Sequence, residues 1–441
     1  MLNIKMKTSL QNFKILISTI FQNGGEATRS LEIAKIIRET RPQNMDLQMI
    51  FLSHGGSFDK TAKKEGFEIV NIEPKTNFAN FHDDFQTRFG ELIGKGEIAL
   101  DYLQNEIKAY QQLKPDALIH GFYPIASIAK RMVLPNTPSI AFLPLPLNEA
   151  FLNEIHSFPD ELIAARLPRA VQKLIIQALP QKIKLNNPAL RHRIIAKAAL
   201  KLGWNKKDPL RNTFDMLRSD LYLINDFPFF YKTEGYPEHF KFTGPLFSKT
   251  ISDQNTDPKI LEWLKSSHQK RIFCTLGTSG NKEHLVEVIK VFNEGVGLNW
   301  KAIILSPPAI CDIHEARKLS KSDNVYITDK FINATEINAQ ADMVICHGGQ
   351  GTLQTAITSG TPLVGLATQP EQQINLEHLS HFGMAKRIPN WKWSANTIRQ
   401  SVKEVLEYPQ FKRRAEELKR LSCQINTKQI IADEVWKFLN G

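Results

Sequence analysis

Three short runs hold the residues best placed to do chemistry. They are His347-Gly348-Gly349-Gln350-Gly351-Thr352, Gly360-Thr361-Pro362 and Glu371-Gln372-Gln373-Ile374-Asn375. An apolar, β-rich stretch (Met343-Val344-Ile345-Cys346) feeds the glycines, and a helix-length segment stopped by Gly360 and Pro362 follows them. A strand that turns sharply into a helix offers free backbone N–H groups and the positive end of the helix dipole to an anion, and glycines let the backbone come close. His347, at the strand end, adds a further hydrogen-bond donor. The spacing therefore predicts a phosphate-bearing ligand. Other loops are missing: the sequence has no GxxxxGK followed by Ser or Thr, no GxGxxG opening a helix, and no Asp-x-Asp to hold a divalent cation on a diphosphate. No dinucleotide cofactor and no metal are expected. His378 and His381 stand three apart without a matching ligand set and read as surface histidines.

The elements needed to position these residues alternate along the chain. Strands are expected at Lys14–Thr19, Gln48–Ser53, Ala117–His120 and Ser139–Leu143, with helical periodicity at Ala27–Glu39 and Pro124–Met132. After Gly244-Pro245-Leu246 and a polar stretch, Ser248–Pro258, a second series begins: strands Arg271–Leu276, Trp300–Leu305, Val325–Thr328, 343–346 and Pro362–Ala367, with a helix at Glu283–Phe292 and a helical tail over 397–439. Strands separated by helices imply parallel, doubly wound sheets. The expected organisation is an N-terminal domain over 1–245, a linker over 246–258 and a C-terminal domain over 259–441. In such sheets ligands sit beyond the C-terminal strand ends, so a cleft between the two domains is the expected active site.

Bulk properties agree with this reading. At 441 residues the chain exceeds one ordinary core, and 42% hydrophobic with 23% charged residues is a common globular composition. Four dispersed cysteines without a CxxC suit a reducing compartment. Phe13–Ile17 is too short for a signal-peptide core, and no apolar run reaches spanning length, so a cytoplasmic protein is expected. The net charge of +11 is concentrated: residues 161–211 carry twelve Lys or Arg against the two acids Glu161 and Asp208. Apolar residues interleave with these charges. The pattern fits basic amphipathic helices on an anionic membrane surface at the inner face, or a pair of core-packing helices with a solvated basic face. Nucleic acid is not expected, because no nucleic-acid motif accompanies the charge.

The runs from Val344 to Asn375 resemble the nucleotide-sugar signature of the inverting, nucleotide-sugar-dependent glycosyltransferases of the GT-B fold, which act on natural products, sterols and lipids. Thr275-Leu276-Gly277-Thr278-Ser279-Gly280 and Gly244-Pro245-Leu246 echo the same family. The resemblance covers about 240–390 by motif and 1–240 by architecture. It implies two Rossmann-like α/β domains facing across a cleft, with a nucleotide-sugar donor, no cofactor and a small-molecule or lipid acceptor. It implies that Thr278, His347, Gly351 and Thr352 meet the diphosphate, that Ser279 and Gly349 belong to the same donor site, that Phe331 stacks on the base beside Ile332, and that Glu371 and Gln372 read the sugar. Thr355 stands where the family often places a ribose-gripping glutamate, and Glu371 replaces the usual aspartate. The acceptor's base should come from the loop after the first strand, where alignment on Leu31-Glu32-Ile33-Ala34 selects Glu26; His120, at another strand end, is the reserve. A general base that deprotonates an acceptor hydroxyl, with N–H groups to stabilise the departing diphosphate, suffices for inverting transfer without a metal. A catalytically silent homologue and a nucleotide-sugar epimerase are the alternative readings.

Overall fold

The alternating pattern resolves into two parallel sheets. The computed structural model describes residues 11–441 except 22–23, 57, 77–80, 88–90, 188–189, 248–255, 267 and 278–279. The first sheet contains β1 (Gln11–Ser18), β2 (Met45–Ser53), β3 (Glu68–Asn71), β4 (Ala117–His120), β5 (Ser139–Leu143), β6 (Leu221–Ile224) and β7 (Phe240–Phe242), in the order β3-β2-β1-β4-β5-β6-β7. The second contains β8 (Lys270–Thr275), β9 (Trp300–Leu305), β10 (Val325–Thr328), β11 (Met343–Cys346), β12 (Leu363–Gly365) and β13 (Ala385–Arg387), in the order β10-β9-β8-β11-β12-β13. Each sheet thus grows outward in both directions from its first strand, which is the doubly wound arrangement. Every residue of β4, β5, β6 and β11 is buried, as strands covered on both faces by helices must be.

The point where strand order reverses falls between β1 and β4 in the first sheet and between β8 and β11 in the second. Register aligns the strand ends there: Ser18 pairs with His120, and Cys346 with Thr275. The residues leaving β8 and β11 therefore emerge side by side, where doubly wound sheets bind ligands.

Two segments depart from the expected boundaries. The first unit runs to Glu154, resumes at Ala178 and returns with Asn426–Gly441, while the second takes Ile155–Gln177 before continuing to Ile425. The C-terminal helix Thr427–Asn440 joins the first unit because Ile431, Val435 and Trp436 complete its core. The Trp436 indole N–H donates to Thr40 Oγ1 (3.1 Å), and Lys428 pairs with Glu39. The 155–177 segment joins the second unit through a buried Asp160–Arg387 ion pair. Of the expected linker, residues 248–255 lie outside the described residues.

The basic segment 161–211 also divides. Helix Arg193–Lys201 buries Ile195, Ala198 and Ala199 in the first unit's core, so there the core-packing reading holds. Helix Arg169–Ala178, in the second unit, buries only Gln172 and Ile176. No described helix is long and apolar enough to cross a membrane.

Burial pushes the pKa of His120, His347 and His378 down to about 4 each. His378 is half-buried and His381 exposed. In the unfolded chain such groups titrate near about 6.5, so below that pH the unfolded state binds more protons and folding is penalised. Stability should be level above about pH 6.5 and fall as pH drops toward 4. Thermal unfolding at a series of pH values checks this: His120→Gln should make the acid-side slope shallower, and a melting temperature unchanged between pH 7 and 5 would contradict it.

Candidate active site

The second unit builds a bare helix N-terminus at its reversal point. Helix Gln350–Ser359 starts after Gly349 with no side-chain cap and no acid in its first turn. Five other helices of this unit, starting at Pro258, Lys282, Ile313, Ala334 and Ala395, are closed by the side chains of Asp257, Asn281, Asp312, Asn333 and Ser394. The first N–H groups of a helix lack intrahelical acceptors, so leaving them uncapped keeps an anion site open. A Cβ built on Gly351 would meet nothing within 4 Å, so the turn has free space in front of it.

His347 is set between two glycines. A Cβ on Gly277 would lie 2.5 Å from His347 Cε1, and one on Gly349 would overlap Nε2. Gly277 also has φ +60° and Gly348 φ +82°, which only glycine adopts without strain. The imidazole is buried, and burial, opposed in part by a hydrogen bond to the Thr275 backbone, lowers its pKa to about 4 and leaves it neutral near pH 7. Its Nδ1 has no hydrogen-bond partner among the described residues. A buried polar atom left without a partner costs stability and needs a reason other than packing.

Helix Pro370–His381 closes over this loop. A Cβ on Gly348 would lie 2.7 Å from the Gln372 carbonyl oxygen, and Asn375 Nδ2 donates to the Gly348 carbonyl at 3.2 Å. Gln372 accepts from both the backbone N–H and the hydroxyl of Thr368 at 2.9 Å, which fixes its side-chain orientation. Glu371 is half-buried in the first turn of this helix, with Asn375 Nδ2 3.5 Å from Oε1. Structure thus brings His347, Gly349, Gly351, Thr352, Glu371 and Gln372 to one loop-and-helix assembly.

Other expected residues have varied fates. Phe331 is 43% exposed and available as a stacking platform, while Ile332 beside it is buried. The Thr355 hydroxyl donates to the Thr352 carbonyl (2.9 Å) and accepts from Asn338 Nδ2 (3.2 Å), so it is engaged within the unit. Thr278 and Ser279 lie outside the described residues. Among the described residues no group of three His, Cys, Asp or Glu is placed to hold a metal ion.

In the first unit Glu26 sits in the first turn of helix Gly24–Glu39, 3% exposed, with Arg29 Nη2 3.4 Å from Oε2. Its carboxylate rests on Gly121 at the end of β4, where any Cβ would overlap it. Glu26 thus lies at the β1/β4 reversal point. His120 is fully buried, with Nδ1 2.8 Å from the Gly121 carbonyl and Nε2 2.7 Å from Ser219 Oγ. Both ring nitrogens are thus engaged, burial lowers the pKa to about 4, and His120 ties the end of β4 to the segment that leads into β6. The positioning roles of Gly121 and Gly277 were missed from sequence. A glycine right after a strand is the signal that was available for each, but the side chain it admits comes from a remote position.

Comparison with known proteins adds the following. Residues 310–435 match the family described as Erythromycin biosynthesis protein CIII-like, C-terminal domain. The PGL/p-HBAD biosynthesis glycosyltransferase of Mycobacterium tuberculosis is 27% identical over 235 residues, 51% of either chain. The chain spans about half the length of the curated relatives it matches. Among solved structures, the glycotransferase of kitacinnamycin aligns over 96% of this chain and 98% of its own, with TM-score 0.66 and 18% identity. Glycosyltransferase VinC in complex with dTDP aligns over 97% and 100%, with TM-score 0.62 and 15% identity, and both likenesses show the fold. In fold the chain is similar to these two glycosyltransferases, and in sequence residues 310–435 are similar to the EryCIII-like C-terminal domain.

Proposed function

We propose that the chain is a metal-independent, inverting glycosyltransferase that moves a sugar from a nucleotide diphosphate sugar to a hydroxyl of a hydrophobic acceptor. The observation that carries this reading is the uncapped N-terminus of helix Gln350–Ser359, beside a neutral, buried His347, in a unit whose other helices are largely capped. The likeness to a glycosyltransferase bound to dTDP supports a nucleotide at this site. The internally bonded Thr355 hydroxyl suits a thymidine nucleotide, which has no ribose 2′-hydroxyl to grip.

The chemistry runs as follows. The Glu26 carboxylate takes the proton of the acceptor hydroxyl while that oxygen attacks the anomeric carbon. The bond from that carbon to the diphosphate breaks on the opposite face, so the configuration inverts. The N–H groups of Gly351 and Thr352 and the imidazole N–H of His347 meet the charge growing on the leaving diphosphate, which is the work a cation would otherwise do. Glu371 and Gln372 hold the sugar hydroxyls.

Incubating the protein with a panel of UDP- and TDP-sugars and analysing the products tests the class of reaction. Transfer or donor hydrolysis is expected; a sugar changed in configuration without transfer would mean an epimerase, and an unconsumed panel a silent homologue. His347→Ala should lower kcat roughly 10²–10³-fold, the usual cost of one lost oxyanion donor. Steady-state kinetics beside calorimetry with TDP separates the two units. Glu26→Gln and Gly121→Ala should each abolish most turnover yet leave nucleotide affinity unchanged, because they sit in the other unit. Normal turnover in Glu26→Gln would remove it as the base.

A further inference from the structure

We infer that residues 162–175 form a docking face for an anionic lipid bilayer, carried by the unit that holds the proposed donor site. Of the thirteen large hydrophobic residues exposed among the described ones, six fall within these fourteen positions: Leu162, Ile163, Leu167, Val171, Leu174 and Ile175. Ile163 is 82% and Leu174 68% exposed. Helix Arg169–Ala178 turns only Gln172 and Ile176 inward, so its apolar side faces away from its own unit. Scattered single apolar residues are ordinary on a surface, but a cluster of this density marks an interaction site.

The charges around the cluster choose the occupant. Arg166, Arg169 and Lys173 are exposed among these apolar residues, with Glu161 the acid at the segment's start. Arg166 lies over the ring of Trp391 at 6.0 Å, and a recess of about 270 Å³ opens there, lined also by Arg169, Pro389 and Lys392. Exposed aliphatic residues, interspersed cations and a tryptophan are what an interfacial helix presents to acyl chains and anionic headgroups. A second copy of the chain would bring the same cations against each other, so self-association is disfavoured where an anionic surface is favoured. The recess beside the apolar face is placed to receive a headgroup phosphate.

The face is firmly held. Asp160 and Arg387 form a buried ion pair, and the Asn390 N–H donates to the other Asp160 oxygen at 3.0 Å. Gln373 accepts from the Asp160 N–H (3.1 Å) and donates to Ser157 Oγ and the Phe158 carbonyl, both at 2.9 Å. Ser157 in turn donates to Glu377 at 2.6 Å. Gln373 and Glu377 belong to helix Pro370–His381, whose first turn carries Glu371 and Gln372. Docking would therefore anchor the helix proposed to read the donor sugar. The docking itself does not depend on the glycosyltransferase reading, and it fails or stands separately.

Sedimentation of the full chain with vesicles at low salt tests the inference. One set of vesicles is phosphatidylcholine alone and the other contains phosphatidylglycerol. Partition onto the anionic vesicles is expected to exceed that onto neutral ones at least tenfold. Ile163→Ser with Leu174→Ser, and separately Arg166→Glu with Arg169→Glu, should each lower it at least tenfold. These residues are exposed, so melting temperatures should not change, and Lys206→Glu with Lys207→Glu, in the other unit, should bind as the parent does. Equal binding to both vesicle types, or unchanged binding by both variant pairs, would overturn the proposal. So would a lipid-free dimer in light scattering that Leu174→Ser dissociates, since a second copy would then occupy the face.

Discussion

The rest of the site depends on backbone N–H groups left uncapped where β11 turns into helix Gln350–Ser359. A helix start without a cap is a cost the fold could have removed with one Ser, Asp or Asn, as it does at five other helices of the same unit. Keeping it open constrains everything nearby. Gly349 must be glycine because any side chain would run into His347, and Gly348 because helix Pro370–His381 lies directly against it. The helix that closes the loop is the one that presents Glu371 and Gln372, so the proposed phosphate cradle and the proposed sugar reader are one packed assembly.

Both units place their candidate chemistry at the same topological point. In the second unit, residues leaving β8 and β11 surround the cradle; in the first, the helix after β1 carries Glu26 onto Gly121 at the end of β4. Electrostatically the two sites differ. The cradle offers a helix start without a side-chain cap and an imidazole that burial keeps neutral, dipoles of the kind that would meet the charge of the proposed diphosphate. Glu26 is a buried carboxylate with Arg29 Nη2 3.4 Å from its Oε2.

Much of this was legible because it is local. A strand, a glycine turn and a helix are written in consecutive residues, and the strands Trp300–Leu305, Val325–Thr328 and Met343–Cys346 lie where pattern puts them. The short strands β3, β6, β7 and β13 were not legible. Unit membership was not legible either. Asp160 finds Arg387, and Trp436 finds Thr40, across more than two hundred residues of sequence. The basic segment illustrates the limit best: Arg169–Ala178 and Arg193–Lys201 have the same amphipathic pattern, yet one buries its apolar side and the other exposes it. Periodicity states that a face exists, and only tertiary packing states what covers it.

The central claim is that a nucleoside diphosphate binds at the β8/β11 reversal point through the uncapped helix start and His347. Titrating TDP and UDP into isotope-labelled protein while following the His347 ring and the amides of Gly351 and Thr352 by NMR tests it most directly. The account predicts that saturation shifts both amides and raises the His347 pKa from about 4, because a bound dianion favours the imidazolium. Nucleotide binding that leaves those amides and the His347 titration unchanged would contradict it.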